Sequence, residues 1–148
     1  MQNHTPRLLL SATGSDSGKT TVMLALLSAF HKSGVVVQSY KSGPDYIDPM
    51  FHEAVTHRPA YHTDPFFLQL DAMRKLVAVT AQQADLALIE GAMGFYDGIG
   101  QTSEASAYTV SQWLETPAVL VVNPQKMGRS VAAICKGFLQ LAPHNRIA

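Results

Sequence analysis

The feature that most constrains the fold lies near the start of the chain, in residues 8–21, which read LLLSATGSDSGKTT. The run begins with three leucines at positions 8–10, and an apolar run of this kind is typical of a parallel strand that is covered on both faces. After Thr21, apolar residues recur at helical spacing as far as Phe30, which predicts an amphipathic or largely buried helix. A buried strand, a tight loop and a helix therefore follow one another directly.

The loop between this strand and helix has the residue types that bind phosphate. The first backbone N–H groups of a helix have no partner within it, and they attract anions together with the helix dipole. Gly18 lets the backbone approach a ligand closely, Lys19 supplies a positive charge, and Thr20 offers a hydroxyl to Mg²⁺. We therefore predict a nucleotide-phosphate loop with the binding residues Gly14, Ser15, Asp16, Ser17, Gly18, Lys19, Thr20 and Thr21.

The loop departs from the standard phosphate-binding pattern at one position. That pattern has its first glycine five residues before Gly18, where this chain has Thr13, and Gly14 follows one residue later. The alternative interpretation is an ordinary strand-to-helix turn with an exposed lysine. The apolar strand before the loop and the helix after it favour the phosphate-binding interpretation.

The composition is typical of a well-buried globular protein. The 148 residues are 47% hydrophobic and 15% charged, which predicts one domain with a sizeable core. The net charge of zero does not indicate the basic surface that nucleic-acid binding requires. No apolar run is long enough to cross a membrane, and residues 1–6 lack a signal-peptide pattern. The single cysteine, Cys135, excludes an internal disulfide. We therefore expect a cytoplasmic protein that binds neither nucleic acid nor membrane.

Apolar strands alternate with amphipathic helices, which predicts an α/β fold with a mostly parallel sheet and helices on both faces. The predicted strands cover residues 8–10, 35–40, 85–90 and 117–122. The predicted helices cover about residues 22–33, 49–55, 69–83, 106–114 and 128–141. Gly34 is the predicted left-handed cap of the first helix, and residues 58–65 are expected to be irregular. His52, His57 and His62 do not share one helical face, and we interpret them as core or surface residues rather than metal ligands.

Two of the predicted strands end in charged loops. Lys41, Asp45 and Asp48 follow the second strand. Ligands of open parallel sheets bind outside the carboxyl ends of the strands, so this loop points towards the same crevice as the phosphate loop. Glu90 ends the third strand, at a position where such folds hold Mg²⁺ or its water, and Asp97 follows in a glycine-rich loop. The alternative for each charge is a solvated turn or strand-end residue.

Three motifs together closely resemble the cobyrinic acid a,c-diamide synthase family: SDSGKTT at residues 15–21, KSGPDYIDP at residues 41–49 and EGAMGFYDG at residues 90–98. The resemblance covers essentially the whole chain, and the second motif is its most specific part, since the related dethiobiotin synthetases lack it. MinD-like ATPases carry a signature lysine where this chain has Gly14. The resemblance therefore implies a P-loop NTPase-like fold of the dethiobiotin synthetase type.

Members of that family are ATP-dependent amidoligases of cobalamin biosynthesis. They convert two acetate carboxylates of the corrin ring into amides, through an acyl phosphate that ammonia attacks. The resemblance implies ATP and Mg²⁺ as cofactors, a corrinoid acid as the small-molecule substrate, and Thr20, Asp45 and Glu90 as metal ligands. It also implies the catalytic residues Lys41, Asp48 and Asp97, and the substrate-binding residues Tyr46 and Asp48.

The chain departs from the family pattern in two respects. Asp16 stands where the family usually has glycine, and an acid that faces a phosphate would repel it. Family members also continue with the rest of the nucleotide domain and a glutamine amidotransferase domain. We therefore expect residues 1–148 to be the N-terminal part of the ATP-binding amidoligase domain, without glutaminase activity and prone to form a homodimer or a domain swap.

Two other functions stay open from the sequence alone. One is a non-catalytic nucleotide-binding module that acts through a partner, and the other is a dethiobiotin synthetase-like ligase. The residues also leave open which tetrapyrrole is amidated.

Overall fold

The computed structural model describes residues 5–148, and strands and helices alternate within that range. The strands are β1 (Arg7–Ala12), β2 (Val37–Lys41), β3 (Tyr61–His62), β4 (Leu86–Glu90) and β5 (Ala118–Val121). The helices are α1 (Lys19–Lys32), α2 (Ile47–Thr56), α3 (Leu70–Thr80), α4 (Ala107–Trp113) and α5 (Val131–Leu141). The signal-peptide prediction falls partly on residues 1–4, which lie outside the described residues. Between residues 5 and 148, no helix combines the length and apolar character that a membrane span requires.

The strands form one parallel sheet in the order β3-β2-β4-β1-β5. β1 leads into the phosphate loop and lies between β4 and β5, while β2 lies on the other side of β4. Beyond β5, Ile147 forms a further parallel bridge to Ala118. The predicted α/β fold with a parallel, P-loop NTPase-like sheet is confirmed.

Helices cover both faces of the sheet. Neighbouring residues of a strand point to opposite faces, so each face has a core of its own. On one face Leu9 belongs to a core that includes Met73 of α3 and Val110 of α4. On the other face Leu10 packs in a second core with Met23 of α1. The sheet is therefore buried on both sides, which explains the uninterrupted apolar runs of its strands.

The connection between α1 and β2 explains where β2 begins. Gly34 has a φ of 78° and the N–H of Val35 donates to the carbonyl oxygen of Phe30, so the predicted left-handed cap of α1 is confirmed. This turn removes Val35 from the sheet, and β2 begins at Val37, two residues later than predicted. β2 also continues to Lys41, which was predicted to lie in the following loop. The other predicted elements agree with the structure to within a few residues at each end.

Two further differences concern residues 45–62. α2 begins at Ile47 rather than at Pro49, because the Asp45 carboxylate accepts hydrogen bonds from the N–H groups of Ile47 (2.9 Å) and Asp48 (3.3 Å). Tyr61–His62 form β3 by pairing with β2, so the prediction that residues 58–65 are irregular was wrong here. A two-residue strand is too short to carry a periodic signal in the sequence.

Candidate functional site

The phosphate loop connects β1 to α1 through two left-handed residues. Asp16 has a φ of 57° and Gly18 a φ of 83°, and α1 begins at the next residue, Lys19. The Ser17 hydroxyl donates to the carbonyl oxygen of Gly14 at 2.8 Å, which closes the loop on itself. The first turn of α1 therefore leaves backbone N–H groups at the carboxyl end of β1, as phosphate binding requires.

Strand register brings the two charged strand ends next to this loop. In the sheet, Glu90 of β4 is paired with Leu10 of β1 on one side and with Lys41 of β2 on the other. Paired residues of neighbouring strands point to the same face, so Lys41 and Glu90 share the face that α1 covers. The prediction that the second and third sequence motifs meet the phosphate loop agrees with this geometry.

Five side chains form a compact charged cluster, which we call the Lys41–Glu90 cluster. The Thr20 hydroxyl lies 2.7 Å from Glu90 Oε1 and 3.1 Å from Asp48 Oδ2. Lys41 Nζ donates to Asp48 Oδ2 and lies 3.4 Å from Glu90 Oε1. Lys19 Nζ lies 3.9 Å from the same Glu90 oxygen. Residues from the phosphate loop, β2, α2 and β4 thus contact one another directly.

The charges in this cluster balance one another, and those of Lys41 and Glu90 are buried. The side chain of Glu90 is fully buried and that of Lys41 nearly so. Burial would raise the pKa of Glu90, but the hydrogen bond from His52, the charge of Lys41 and the hydrogen bond from Thr20 outweigh it and hold the pKa below its usual range. Burial and the neighbouring charge of Lys41 lower the pKa of Lys19. Two crowded lysines beside a helix N-terminus form a favourable site for an anionic ligand.

His52, which the sequence identifies only as a core or surface residue, also contacts this cluster. This side chain is fully buried, and its Nε2 lies 2.8 Å from Glu90 Oε2. The available signal was its position on α2, one helical turn after Asp48, which places both side chains on the same helical face. His57 lies elsewhere, with its ring edge-on to that of His31 at a centroid distance of 5.3 Å. Within residues 5–148, no three His, Cys, Asp or Glu side chains group into a metal site of their own.

The structure places Asp45 and Asp48 differently. Asp48 contacts Thr20 and Lys41, whereas Asp45 caps the start of α2 and keeps its Oδ2 3.6 Å from Lys41 Nζ. The small burial of Asp45 would raise its pKa, but hydrogen bonds from the N–H groups of Ile47 and Asp48 hold the pKa below its usual range. Asp48 is therefore the aspartate in direct contact with the Thr20 hydroxyl.

Asp97 and Tyr46 lie outside the Lys41–Glu90 cluster. Asp97 Oδ2 accepts a hydrogen bond from the N–H of Gly94 at 2.9 Å. A Cβ atom added to Gly94 would lie 3.2 Å from the carbonyl oxygen of Thr13, so the Asp97 loop packs against the entrance of the phosphate loop. The side chain of Tyr46 is exposed at the start of α2, with its ring centroid 5.8 Å from that of His62.

Comparison with known proteins gives a family. The sequence model of the AAA domain family matches residues 6–135. The chain is 44% identical over 142 residues to a cobyrinate a,c-diamide synthase of Priestia megaterium, a match that covers 95% of this chain and 31% of the relative. A hydrogenobyrinate a,c-diamide synthase of Streptomyces coelicolor is 41% identical over 143 residues, covering 96% and 29%. A cobyrinate a,c-diamide synthase of Syntrophotalea carbinolica is 36% identical over 144 residues, covering 97% and 31%.

These matches have a consistent pattern. The chain spans about a third of the length of the curated relatives it matches, and it aligns with their N-terminal part. The resemblance predicted from the three sequence motifs is confirmed. The chain belongs to the AAA domain family and is similar, over nearly its whole length, to the N-terminal part of cobyrinate and hydrogenobyrinate a,c-diamide synthases.

Proposed function

We propose that this chain is the ATP-binding part of an amidoligase that converts acetate carboxylates of a corrinoid acid into amides, a step of cobalamin biosynthesis in the cytoplasm. The observation that carries the proposal is the contact that Lys19 and Thr20 of the phosphate loop make with Glu90, and Thr20 also with Asp48, within the Lys41–Glu90 cluster. The names of the relatives support the reaction. The similarity that carries it to this chain covers about a third of the length of those relatives.

The reaction needs positioning and charge neutralisation more than covalent help from the protein. A substrate carboxylate oxygen attacks the γ-phosphorus of ATP, the bond to the bridging oxygen breaks, and ADP leaves. Ammonia then attacks the acyl carbon, the bond from that carbon to the phosphate oxygen breaks, and inorganic phosphate leaves with the electron pair and the proton that the nitrogen gives up. In this proposal Lys19 and the N–H groups at the start of α1 hold the phosphates, and Lys41 stabilises the charge of the transferring phosphoryl group.

The oxygen atoms of Thr20, Asp48 and Glu90 fit Mg²⁺. This ion prefers oxygen ligands, and in such sites it binds through one or two carboxylates together with phosphate oxygens and water. The Thr20 hydroxyl lies within hydrogen-bond distance of both carboxylates, so the three donors are already together. We assign these residues to the metal and keep Asp45, which caps the start of α2 and lies 3.6 Å from Lys41 Nζ, as an additional candidate. Bound Mg²⁺ would neutralise phosphate charge.

An exposed apolar surface on α2 would suit a large, partly apolar substrate. Tyr46, Ile47, Met50 and Phe51 are exposed on one side of α2, opposite the buried His52. A corrin ring combines an apolar macrocycle with peripheral carboxylates, so it could contact this surface while one carboxylate reaches Lys41. We assign Tyr46 and Asp48 to substrate binding on this basis, and Asp97, at the entrance of the phosphate loop, to the orientation of the carboxylate or ammonia.

Calorimetric titration of Mg·ATP into the purified chain tests the nucleotide site. We expect binding to the wild-type chain and a loss of affinity of roughly tenfold to hundredfold in Lys19→Ala, because a charge-assisted contact to phosphate is removed. Lys32→Ala, at the exposed end of the same helix, is the matched control and should bind as the wild type does. A folded wild-type chain that does not bind Mg·ATP would contradict the proposal.

Turnover separates the amidoligase from its alternatives. We expect ammonia-dependent ATP hydrolysis when a corrinoid acid is added. ATP binding without such turnover would favour a non-catalytic nucleotide-binding module, and turnover of diaminopelargonic acid with bicarbonate would favour a dethiobiotin synthetase-like ligase.

A further inference from the structure

The contacts of Glu90 divide between its two carboxylate oxygens. Oε1 accepts the hydroxyl of Thr20 at 2.7 Å and faces the amino groups of Lys41 and Lys19 at 3.4 and 3.9 Å. Oε2 lies 2.8 Å from Nε2 of His52. Each oxygen therefore has its own partners, and rotation of the carboxylate out of its present plane would break both sets of contacts.

The direction of the hydrogen bond between His52 and Glu90 follows from the charge of Glu90. An ionised carboxylate has no proton to donate, so Nε2 of His52 carries the proton. The other ring nitrogen, Nδ1, is buried and has no hydrogen-bond partner within residues 5–148. The hydrogen bond to Glu90 is thus the polar interaction that fixes the orientation of the ring.

α2 holds His52 in place relative to the phosphate loop. Asp45 caps the first turn of this helix, and the Thr56 hydroxyl donates to the carbonyl oxygen of His52 at 2.9 Å in the last turn. Asp48 and His52 lie one turn apart, and Asp48 contacts Thr20 while His52 contacts Glu90. The helix α2 therefore supplies one side chain that contacts Thr20 in the phosphate loop and one that contacts Glu90 beside it.

We infer that His52 is a positioning residue, whose Nε2–H holds Oε2 of Glu90 so that Oε1 faces the phosphate loop. The inference rests on the proposed function, because it takes Glu90 to be a residue that meets the Mg²⁺ of Mg·ATP. Groups that orient a ligating carboxylate typically change metal affinity about 10–100-fold when they are lost. A residue that acts only through Glu90 should affect the Mg²⁺-dependent part of ATP binding and leave the binding of metal-free ATP unchanged.

Two substitutions of His52 separate this role from simple packing. In His52→Gln the side-chain amide nitrogen can reach the position of Nε2, whereas in His52→Asn it reaches only the position of Nδ1. Calorimetry of ATP binding is done once with excess Mg²⁺ and once with excess EDTA. The quantity compared is the ratio of the ATP affinity with Mg²⁺ to the ATP affinity with EDTA. We expect this ratio to be roughly tenfold to hundredfold smaller in His52→Asn than in the wild type, and close to the wild-type ratio in His52→Gln.

The matched control is His57→Asn, the same substitution at an exposed position at the end of α2. His57 has a left-handed φ of 55°, which asparagine adopts readily, so this variant should bind ATP as the wild type does in both media. An unchanged gain from Mg²⁺ in His52→Asn would overturn the inference. Equal losses with Mg²⁺ and EDTA, or no recovery in His52→Gln, would also overturn it. A wild-type chain whose ATP affinity does not depend on Mg²⁺ would instead contradict the proposed function.

A measurement on the wild-type chain does not depend on how the variants fold. Nitrogen-15 NMR of the histidine rings reports which ring nitrogen carries a proton. A proton on Nε2 of His52 in a hydrogen bond is the expected result. A ring that carries its only proton on Nδ1 would overturn the inference.

Discussion

At the scale of the residue, the phosphate loop contains an acid in a backbone conformation that favours glycine. Asp16 has a φ of 57° and is exposed, three residues before the first residue of α1. Aspartate tolerates the left-handed region better than most residues, at a cost of about 1 kcal/mol. A negative charge this close to the helix N-terminus would compete with a phosphate ligand for the same positive potential.

We predict that Asp16→Gly and Asp16→Asn both raise the affinity for Mg·ATP by roughly two- to fivefold, because both remove that competing charge. Asparagine keeps the side-chain size and the left-handed backbone, so it separates the effect of charge from that of conformation. Calorimetry at low and high salt checks the result, since the gain should shrink as salt screens the charge. A gain in Asp16→Gly alone would show that the backbone, not the charge, limits affinity.

The sequence alone predicted some residues of the site and not others. Lys19, Lys41 and Glu90 were predictable because each follows or ends a recognisable strand, and strand ends meet in a parallel sheet. His52 was not predictable in the same way, since its contact with Glu90 joins residues 38 positions apart through the packing of α2 on the sheet. The different surroundings of Asp45 and Asp48 likewise depend on where α2 begins.

At the scale of the element, two loops at the carboxyl edge of the sheet are in close contact. Gly43 follows β2 with a φ of 86°, and a Cβ atom added there would lie 2.6 Å from the Cβ atom of Ala92, which follows β4. The same two strands end in Lys41 and Glu90. The absence of a side chain at Gly43 therefore allows both strand ends to approach each other.

We predict that Gly43→Ala lowers the free energy of unfolding by about 2–4 kcal/mol, the sum of left-handed strain and overpacking. Gly34→Ala is the matched control, because Gly34 also has a positive φ but has no atom within 4 Å of an added Cβ. That variant should lose only about 1 kcal/mol. Urea unfolding measures both, and the second substitution Ala92→Gly should partly restore Gly43→Ala. Equal losses in the two single variants would contradict the crowding argument.

Strands and helices were predictable where an apolar pattern extends over many residues. They were not predictable where pairing with a distant strand determines whether a segment is a strand. α1 and β4 follow directly from apolar patterns that extend over several residues. The start of β2 follows from the turn at Gly34, whose glycine is a local signal. β3, by contrast, exists only because Tyr61–His62 pair with β2. No local pattern in the sequence encodes such pairings.

At the scale of the whole molecule, buried charges couple stability to pH. The pKa of Glu90 in the folded chain lies below its ordinary value of 4.5. In acid the unfolded chain therefore binds more protons than the folded one. The stabilisation is fully present above pH 4.5 and is lost as the pH falls through the lower, folded-state pKa.

We predict that the urea midpoint of the wild-type chain falls as the pH is lowered below about 4.5, and that it falls less steeply in Glu90→Gln. Asp45, whose pKa is also lowered, leaves part of the slope in that variant. At neutral pH, Glu90→Gln should be about 3 kcal/mol less stable, because Lys41 loses a buried partner. Glu115→Gln is the matched control, since its ion pair with Arg74 is exposed and should contribute little. Parallel pH profiles of wild type and Glu90→Gln would contradict the assignment.

The class of the whole fold was predictable from the alternation of strands and helices, whereas the strand order β3-β2-β4-β1-β5 does not follow from that alternation. Alternation fixes parallel pairing but leaves several strand orders possible. The expected homodimer or domain swap stays a prediction. α5 contains no buried residue and exposes Leu139 and Leu141, which is compatible with such an association.

The proposed nucleotide site forms only when β2 and β4 pair in the correct register. Lys41 and Glu90 face each other because they are paired residues of neighbouring strands, and a shift of one position would turn one of them to the opposite face. A misaligned chain would therefore lack the site, and only correctly aligned chains would be stabilised by the nucleotide. A change in the length of a helix or loop between these strands would leave this pairing intact, whereas one residue inserted within either strand would break it.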